Sequence, residues 1–245
     1  MRRVRLCATI VAVAISFMTG VAAATGAEPS AAMQQFLQGS DGDAGAHRQS
    51  DPHASLSADK MAEVALQHLD EGRAQLAFET LNAAVGRYPD NTMLLSIRAS
   101  LFLQNRQTSL ALADLNRALA INPHDPVMLT NRAQALRQFD RRDEAMRDLD
   151  QAILLDPDFV AAHFNRGSLH FEAARFDSAL ADFNRCVELE PAAAAGYFNR
   201  ASTLEALGKR EQAISDLEHF LTLSPEAGWA EVARNMLRQW DSGQS

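Results

Sequence analysis

The sequence predicts an all-α protein built from a repeated pair of helices, and three observations support this prediction. Prolines recur at intervals of 34 residues, a period typical of stacked helical repeats. They are Pro89, Pro123, Pro157, Pro191 and Pro225. An alanine stands twelve residues before each of these prolines. Aromatic residues make up only 7% of the chain, and the abundance of Ala, Leu, Arg and Gln favours helices over strands.

Residues 1–24 are predicted to be a secretory signal peptide. A basic start, Met1–Arg5, precedes an apolar run from Leu6 to about residue 21 and then three alanines that end at Ala24, which is the pattern that signal peptidase cleaves. We expect cleavage after Ala24, or otherwise after Ala27. The apolar run is short for a membrane span, which needs about 20 residues. The alternative is an uncleaved inner-membrane anchor, and in both cases the rest of the chain is exported and faces the periplasm if the source is bacterial.

Residues 25–57 are predicted to form a flexible linker. Gly, Asp, Ser, His, Gln and Pro dominate this stretch, and such a composition cannot bury enough apolar surface to offset its ordering entropy. One short apolar run, residues 31–37, interrupts it. We interpret this run as residual hydrophobicity near the cleavage site. The alternative is a short helix that docks on a partner or on a groove of the same chain.

Residues 58–227 divide into five repeats when each proline is numbered as repeat position 32. The repeats are 58–91, 92–125, 126–159, 160–193 and 194–227. Position 8 is always small: Ala65, Ala99, Ala133, Gly167 and Ala201. Position 20 is always alanine: Ala77, Ala111, Ala145, Ala179 and Ala213. Position 24 is always large and apolar: Leu81, Leu115, Leu149, Phe183 and Leu217.

This pattern resembles the tetratricopeptide repeat family, whose repeats have small residues at positions 8, 20 and 27, a large apolar residue at 24 and proline at 32. The resemblance implies a right-handed α-solenoid of five helix-turn-helix repeats. Small residues let the two helices of a repeat approach closely, and proline ends the second helix because it lacks an N–H group. The inner turn falls near position 15, where Gly72, Asp140 and Gly208 suit a helix end, whereas Arg106 and Ala174 are less typical.

Residues 228–245 are predicted to form a capping helix and a tail. The last repeat of a solenoid needs a cover for its apolar face. Trp229, Ala233, Met236 and Trp240 follow one another at helical spacing on one face. Position 27 is Ala84, Ala118, Ala152, Cys186 and Phe220 in the five repeats. We expect the large Phe220 to fill the space against the cap.

Arginine at position 7 and aspartate at position 23 occur together. The arginines are Arg98, Arg132, Arg166 and Arg200, and the aspartates are Asp114, Asp148, Asp182 and Asp216. Repeat one has neither residue at these positions. The shared occurrence predicts an ion pair within each of repeats two to five. The alternative is that these arginines bind a ligand.

The resemblance also implies a concave groove that is lined by the first helix of each repeat. The candidate partner-binding residues are Asn131, Asn165, Asn199, Phe164, Phe171, Phe198, Gln134, Arg137, Ser168 and Ser202. The asparagines share position 6, and an amide side chain can both donate to and accept from a peptide backbone. The phenylalanines suit apolar anchors of a partner. The alternative for the asparagines is hydrogen bonding at the helix start, or solvation.

Composition and motifs argue against several other functions. The formal net charge is −8, and removal of the three arginines of the leader leaves −11, so nucleic-acid binding is not expected. The sequence has no Gly-rich phosphate loop or nucleophile motif, and its histidines are scattered, so we expect no enzyme activity, no cofactor and no metal. Positions 2 and 5 carry no lysine, which argues against a clamp for a C-terminal carboxylate. Cys186 is expected to be a buried core residue.

The sequence thus predicts a non-catalytic scaffold or adaptor for protein–protein interaction in the cell envelope, which binds a peptide or protein in its concave groove. The alternative is a structural subunit of an envelope complex or of a homo-oligomer, which uses its convex face or its ends.

Overall fold

A computed structural model describes residues 56–223 and 226–241, so the predicted signal peptide and nearly all of the predicted linker lie outside the described residues. Within the described ranges the chain forms eleven helices and no strands. They are α1 Ala58–Asp70, α2 Ala74–Arg87, α3 Thr92–Gln104, α4 Thr108–Ile121, α5 Pro126–Gln138, α6 Arg142–Leu155, α7 Val160–Glu172, α8 Phe176–Leu189, α9 Ala194–Ala206, α10 Arg210–Thr222 and α11 Ala227–Asp241. The chain is an all-α helical repeat solenoid, as predicted.

The helices belong to two compact units that meet in the sequence at residues 123 and 124. In the first unit, α1 packs against α2, α2 against α3, and α3 against α4. In the second unit, each helix from α5 to α10 packs against the next, and α11 packs against α10. The candidate groove residues all lie in the second unit.

Helix ends follow the chemistry of the loop residues. The C-caps of α2, α4, α6 and α8 are Tyr88, Asn122, Asp156 and Glu190, and each immediately precedes a proline, which disfavours helical backbone at that residue. Three first helices begin with a side-chain cap. Ser57 Oγ accepts from the Lys60 N–H at 3.3 Å. Asn91 Oδ1 accepts from the Leu94 N–H at 3.0 Å, and Asp125 Oδ1 accepts from the Met128 N–H at 2.9 Å. The three bonds satisfy amides that the helix leaves unpaired.

The inner turns share one backbone conformation. Position 15 has a positive φ in all five repeats: Gly72 73°, Arg106 58°, Asp140 58°, Ala174 55° and Gly208 72°. The turn is therefore where the sequence predicts it. The left-handed region is open to glycine but costs an alanine about 1–2 kcal/mol, because its Cβ approaches the following carbonyl.

Ala174→Gly is therefore expected to raise the free energy of unfolding by about 0.5–1 kcal/mol, after allowance for the extra freedom of glycine in the unfolded chain. Urea denaturation followed by circular dichroism measures this change. Ala173, whose φ is −87°, supplies the matched control. Ala173→Gly should lower the stability, and an equal effect of the two substitutions would contradict this account.

In repeat four one packing residue is smaller, and another is larger, than in the other repeats. It has Gly167 at position 8 and Phe183 at position 24, where every other repeat has alanine and leucine. A Cβ atom at Gly167 would lie 3.0 Å from Phe183 Cε1 and 3.1 Å from Asp182 Cβ. The glycine is thus required by the larger ring, and the two substitutions compensate each other.

Gly167→Ala is expected to lower the free energy of unfolding by about 1 kcal/mol, since overpacking exceeds the gain in helix propensity. Adding Phe183→Leu should restore most of that loss, because the pair then matches the other repeats. Urea denaturation of the single and double variants measures the coupling. Additive effects of the two substitutions would show that they do not compensate.

Helix α11, Ala227–Asp241, packs on α10 at the end of the second unit. The core here contains Phe220, Leu217 and Ala233, all buried. The half-buried side chains packed on this core include Trp229, Met236, Leu237 and Trp240 of α11. Phe220 therefore fills the space between α10 and the capping helix, where the other repeats have a smaller residue.

Candidate functional site

The candidate site is the face presented by α5, α7 and α9, which are the first helices of repeats three to five. Helix α7 lies beside both α5 and α9. Arg137 Nη1 of α5 lies 3.6 Å from Glu172 Oε1 of α7, so the C-terminal ends of these two helices are in contact through charged side chains. The candidate residues on the three helices thus belong to neighbouring elements. We refer to this surface as the first-helix face.

Two of the asparagines at position 6, Asn165 and Asn199, are hydrogen-bonded within their own helices. Asn165 Nδ2 donates to the Ala161 carbonyl at 2.9 Å, and Asn199 Nδ2 donates to the Ala195 carbonyl at 3.0 Å. Asn131 is buried, with 5% of its surface exposed. Asn165 and Asn199 thus make hydrogen bonds near the start of their own helices, which is the alternative to groove binding that the sequence left open. The amide oxygens of Asn165 and Asn199 are acceptors that these two bonds do not use.

The serines at position 9 also bond to their own helices. Ser168 Oγ donates to the Phe164 carbonyl at 2.9 Å, and Ser202 Oγ donates to the Phe198 carbonyl at 3.1 Å. Both residues are half-buried. Each hydroxyl oxygen keeps lone pairs that can accept a hydrogen bond from outside.

The three candidate phenylalanines have different surroundings. Phe164 is 4% exposed, and its ring packs edge-on against Phe183 with centroids 5.8 Å apart. Phe171 is half-buried and meets Phe176 at 5.5 Å. Phe198 is half-buried between Phe220 at 5.3 Å and Trp229 at 5.2 Å.

Exposure therefore divides the ten candidates into two groups. Asn131, Phe164 and Asn165 are buried. Gln134, Arg137, Ser168, Phe171, Phe198, Asn199 and Ser202 are half-buried. The second group supplies the surface that a partner can reach without rearrangement of the core.

The predicted ion pairs are present in all four repeats. In repeat three, Arg132 Nε and Nη2 donate to the two carboxylate oxygens of Asp148, both at 2.7 Å. The same two-pronged geometry joins Arg98 to Asp114, Arg166 to Asp182 and Arg200 to Asp216. The aspartates are buried. Burial alone would raise the pKa of Asp182, but hydrogen bonds from His163 and Arg166 outweigh it and lower that pKa.

Arg98, Arg166 and Arg200 also join consecutive repeats, a contact that the sequence did not predict. Their Nη1 groups donate to the residue at position 25 of the preceding repeat: Arg98 to Asn82 at 3.0 Å, Arg166 to Asp150 at 2.9 Å and Arg200 to Asn184 at 3.1 Å. Position 25 is Asn or Asp in repeats one to four. This recurrence is the sequence pattern from which the contact could have been predicted. The planar, fixed fork of arginine suits such a three-way contact. The contacts give these arginines a structural role.

The described residues contain no group of three or more His, Cys, Asp or Glu side chains that could hold a metal ion. Cys186 is buried, as predicted, and burial raises the pKa of its thiol to about 12. The thiol is therefore protonated at neutral pH and is a poor nucleophile. None of the helices within the described ranges is both long and apolar enough to span a membrane.

Family models identify the repeat. One tetratricopeptide repeat model matches residues 65–126 and 130–194, which is more than half of the 245 residues. A second tetratricopeptide repeat model matches residues 167–238. No curated protein matches the sequence.

Solved structures of similar fold include three informative cases. A tetratricopeptide repeat protein from Parabacteroides merdae is 23% identical, with a TM-score of 0.65 over 79% of this chain and 75% of that one. PilW, a type IV pilus biogenesis factor, is 20% identical, with a TM-score of 0.62 over 68% and 77% of the two chains. YrrB, described as having an unusual peptide-binding site, is 17% identical, with a TM-score of 0.55 over 73% and 92%. These likenesses show the fold alone.

Proposed function

The chain belongs to the tetratricopeptide repeat family, and from this premise we propose that it is a non-catalytic scaffold that binds a peptide or protein along the first-helix face. One observation carries the proposal. Position 9 provides a half-buried polar side chain on each of three neighbouring helices: Gln134, Ser168 and Ser202. Such a row, flanked by the half-buried rings of Phe171 and Phe198, offers hydrogen bonds and apolar contact to an extended chain.

The charges at the edge of this face favour an uncharged segment of the partner. Arg137 lies beside Glu172 at 3.6 Å, and Glu205 accepts from Arg210 at 2.8 Å. Each charge is thus compensated by one of opposite sign from the same chain. A strongly acidic or basic partner would find no net charge to complement. We propose an extended, polar and aromatic segment instead of a C-terminal carboxylate.

The proposed setting is the periplasm. Residues 1–24 supply the expected signal peptide and 25–57 a linker, with the five repeats at 58–227 and the cap and tail at 228–245. The fold likeness to PilW, a pilus biogenesis factor, supports an envelope setting. The likeness to YrrB, which has a peptide-binding site, supports binding of a peptide. No catalytic step, cofactor or nucleic acid enters the proposal.

Site-specific photocrosslinking in the source cells tests this proposal. A photoreactive amino acid at Gln134, Ser168 or Ser202 should link the protein to the same partner from all three sites. The matched controls are Ala113, Ala181 and Ser215, which share position 22 and are exposed on second helices. These sites should not link to that partner. Crosslinks from the control sites alone would instead support a structural subunit that uses its convex face.

A further inference from the structure

Repeat four places a histidine where the first three repeats have apolar core residues. Position 4 is Met61, Leu95 and Leu129 in those repeats, and each is buried. His163 occupies the same position in α7 and is only 7% exposed. A titratable ring has therefore been placed in a position that packing alone would give to leucine or methionine.

Both ring nitrogens of His163 face oxygen acceptors. Nδ1 lies 3.1 Å from Asp182 Oδ1, and Nε2 lies 2.9 Å from the Pro157 carbonyl oxygen. The carbonyl can only accept, and the Asp182 carboxylate is also held by two N–H groups of Arg166. A neutral imidazole has one N–H and can satisfy only one of these oxygens, whereas the protonated ring donates to both.

The contact to Pro157 anchors a loop that lacks the usual cap. Asn91 and Asp125 cap α3 and α5 with their side chains, but Phe159 at the start of α7 makes no side-chain cap bond. The backbone bond from the His163 N–H to the Phe159 carbonyl is long, at 3.4 Å. The His163 ring therefore ties the backbone of residues 156–159 to α8 through Asp182, beside an exposed side-chain contact from Arg185 of α8 to Asp158.

The surrounding charges allow the ring to be protonated. Arg166 donates to both Asp182 and Asp150, so two cationic and two anionic groups balance when His163 carries its second proton. The other titratable groups near this cluster are Asp156 and Asp158 of the loop, Arg185 and Cys186 of α8, and His170 of α7. The arginines of α5 and α9 pair elsewhere, Arg132 with Asp148 and Arg200 with Asp216.

We propose that His163 is a proton-dependent latch between repeats three and four. The protonated ring ties the 156–159 loop to Asp182, and loss of one proton breaks one of the two bonds and loosens the start of α7. Mild acid therefore closes the latch, and alkaline conditions open it. Because α7 carries Ser168 and Phe171, the latch would change how firmly these two residues of the first-helix face are held in place. The proposal depends only on the geometry around His163 and is independent of the partner.

Hydrogen exchange on the full chain tests the latch. Between about pH 5.5 and about pH 8, the wild-type protection factors at the Phe159, Ala162 and His163 amides should fall about tenfold, the equivalent of one lost hydrogen bond. His163→Leu should remove this pH response, with packing preserved because Leu129 occupies the equivalent position. The capped start of α5, at the Leu129 amide, is the internal reference and should not respond.

His170→Leu is the matched control because it removes the other histidine of α7. Burial lowers the pKa of His170, so this residue makes the protein lose global stability as the pH falls below the ordinary pKa of histidine. The test therefore uses local exchange at residues 159–163 instead of global melting. This variant should keep the local response at residues 159–163. A response that persists in His163→Leu, or that is missing from the wild type, would overturn the latch.

Nitrogen-15 spectra of the histidine rings give a second measurement, which is made on the wild-type protein. The wild-type His163 ring should show two N–H nitrogens at about pH 5.5 and one at about pH 8. A ring that stays neutral in one tautomer across this range would overturn the proposal, whatever the variants do.

Discussion

Arg132→Met is expected to lower the free energy of unfolding by about 3 kcal/mol, because it strands the buried Asp148 carboxylate. In the wild type this carboxylate receives two hydrogen bonds of 2.7 Å from Arg132, and residue Asp148 is 6% exposed. Methionine has a similar length but supplies neither the charge nor the donors. Urea denaturation followed by circular dichroism measures the loss.

Two further variants identify the cause of that loss. Replacing both partners, as Arg132→Met with Asp148→Leu, should recover most of the stability, because no charge is then left unpaired in the core. Arg117→Met removes the exposed pair with Asp90 and should leave the urea midpoint close to wild type, since exposed ion pairs contribute little. If Arg132→Met and Arg117→Met have the same effect, burial is not what makes the position 7 pair important.

Phe220→Ala is expected to lower the free energy of unfolding by about 3 kcal/mol, because it leaves a cavity in the core at the end of the second unit. Helix α11 should then detach at a lower urea concentration than that at which the other helices unfold. The ring fills the space between α10 and α11 and contacts Phe198 at 5.3 Å. The chain has two tryptophans, Trp229 and Trp240, and both belong to α11. Tryptophan fluorescence therefore reports on the capping helix, while circular dichroism reports on all the helices.

In Phe220→Ala, the fluorescence transition should move to lower urea than the dichroism transition. Phe171→Ala, which removes a ring that meets Phe176 in repeat four, is the matched control. It should lower stability without separating the two signals. Coincident transitions in Phe220→Ala would mean that α11 does not depend on this ring.

The repeat period explains how much of the fold could be predicted from the sequence. Five prolines at a fixed spacing set the register, and the register then aligns the small and large packing positions. The joint occurrence of Arg98 and Asp114, and of their equivalents in later repeats, predicted the ion pairs. The third contact, from Arg98 to Asn82, was missed because it joins two repeats and leaves no joint pattern within one.

The candidate site was less predictable because exposure depends on the neighbouring repeat. Phe164 and Phe198 share position 5, yet Phe164 is buried against Phe183 while Phe198 is half-buried beside Trp229. The repeat position of a residue specifies its place on the helix but not which side chains of the next repeat cover it. For the same reason the repeat position of His163 did not predict that its ring contacts Asp182 and the Pro157 carbonyl.

The first-helix face is the central claim, and partner capture by a blocked variant tests it most directly. The variant carries Gln134→Arg, Ser168→Arg and Ser202→Arg, and the control carries Ala113→Arg, Ala181→Arg and Ser215→Arg, so both gain the same charge. Both should keep the wild-type circular dichroism spectrum. We expect the control to retain the partner that photocrosslinking identifies and the blocked variant to lose it. Equal capture by the two variants would contradict binding at this face.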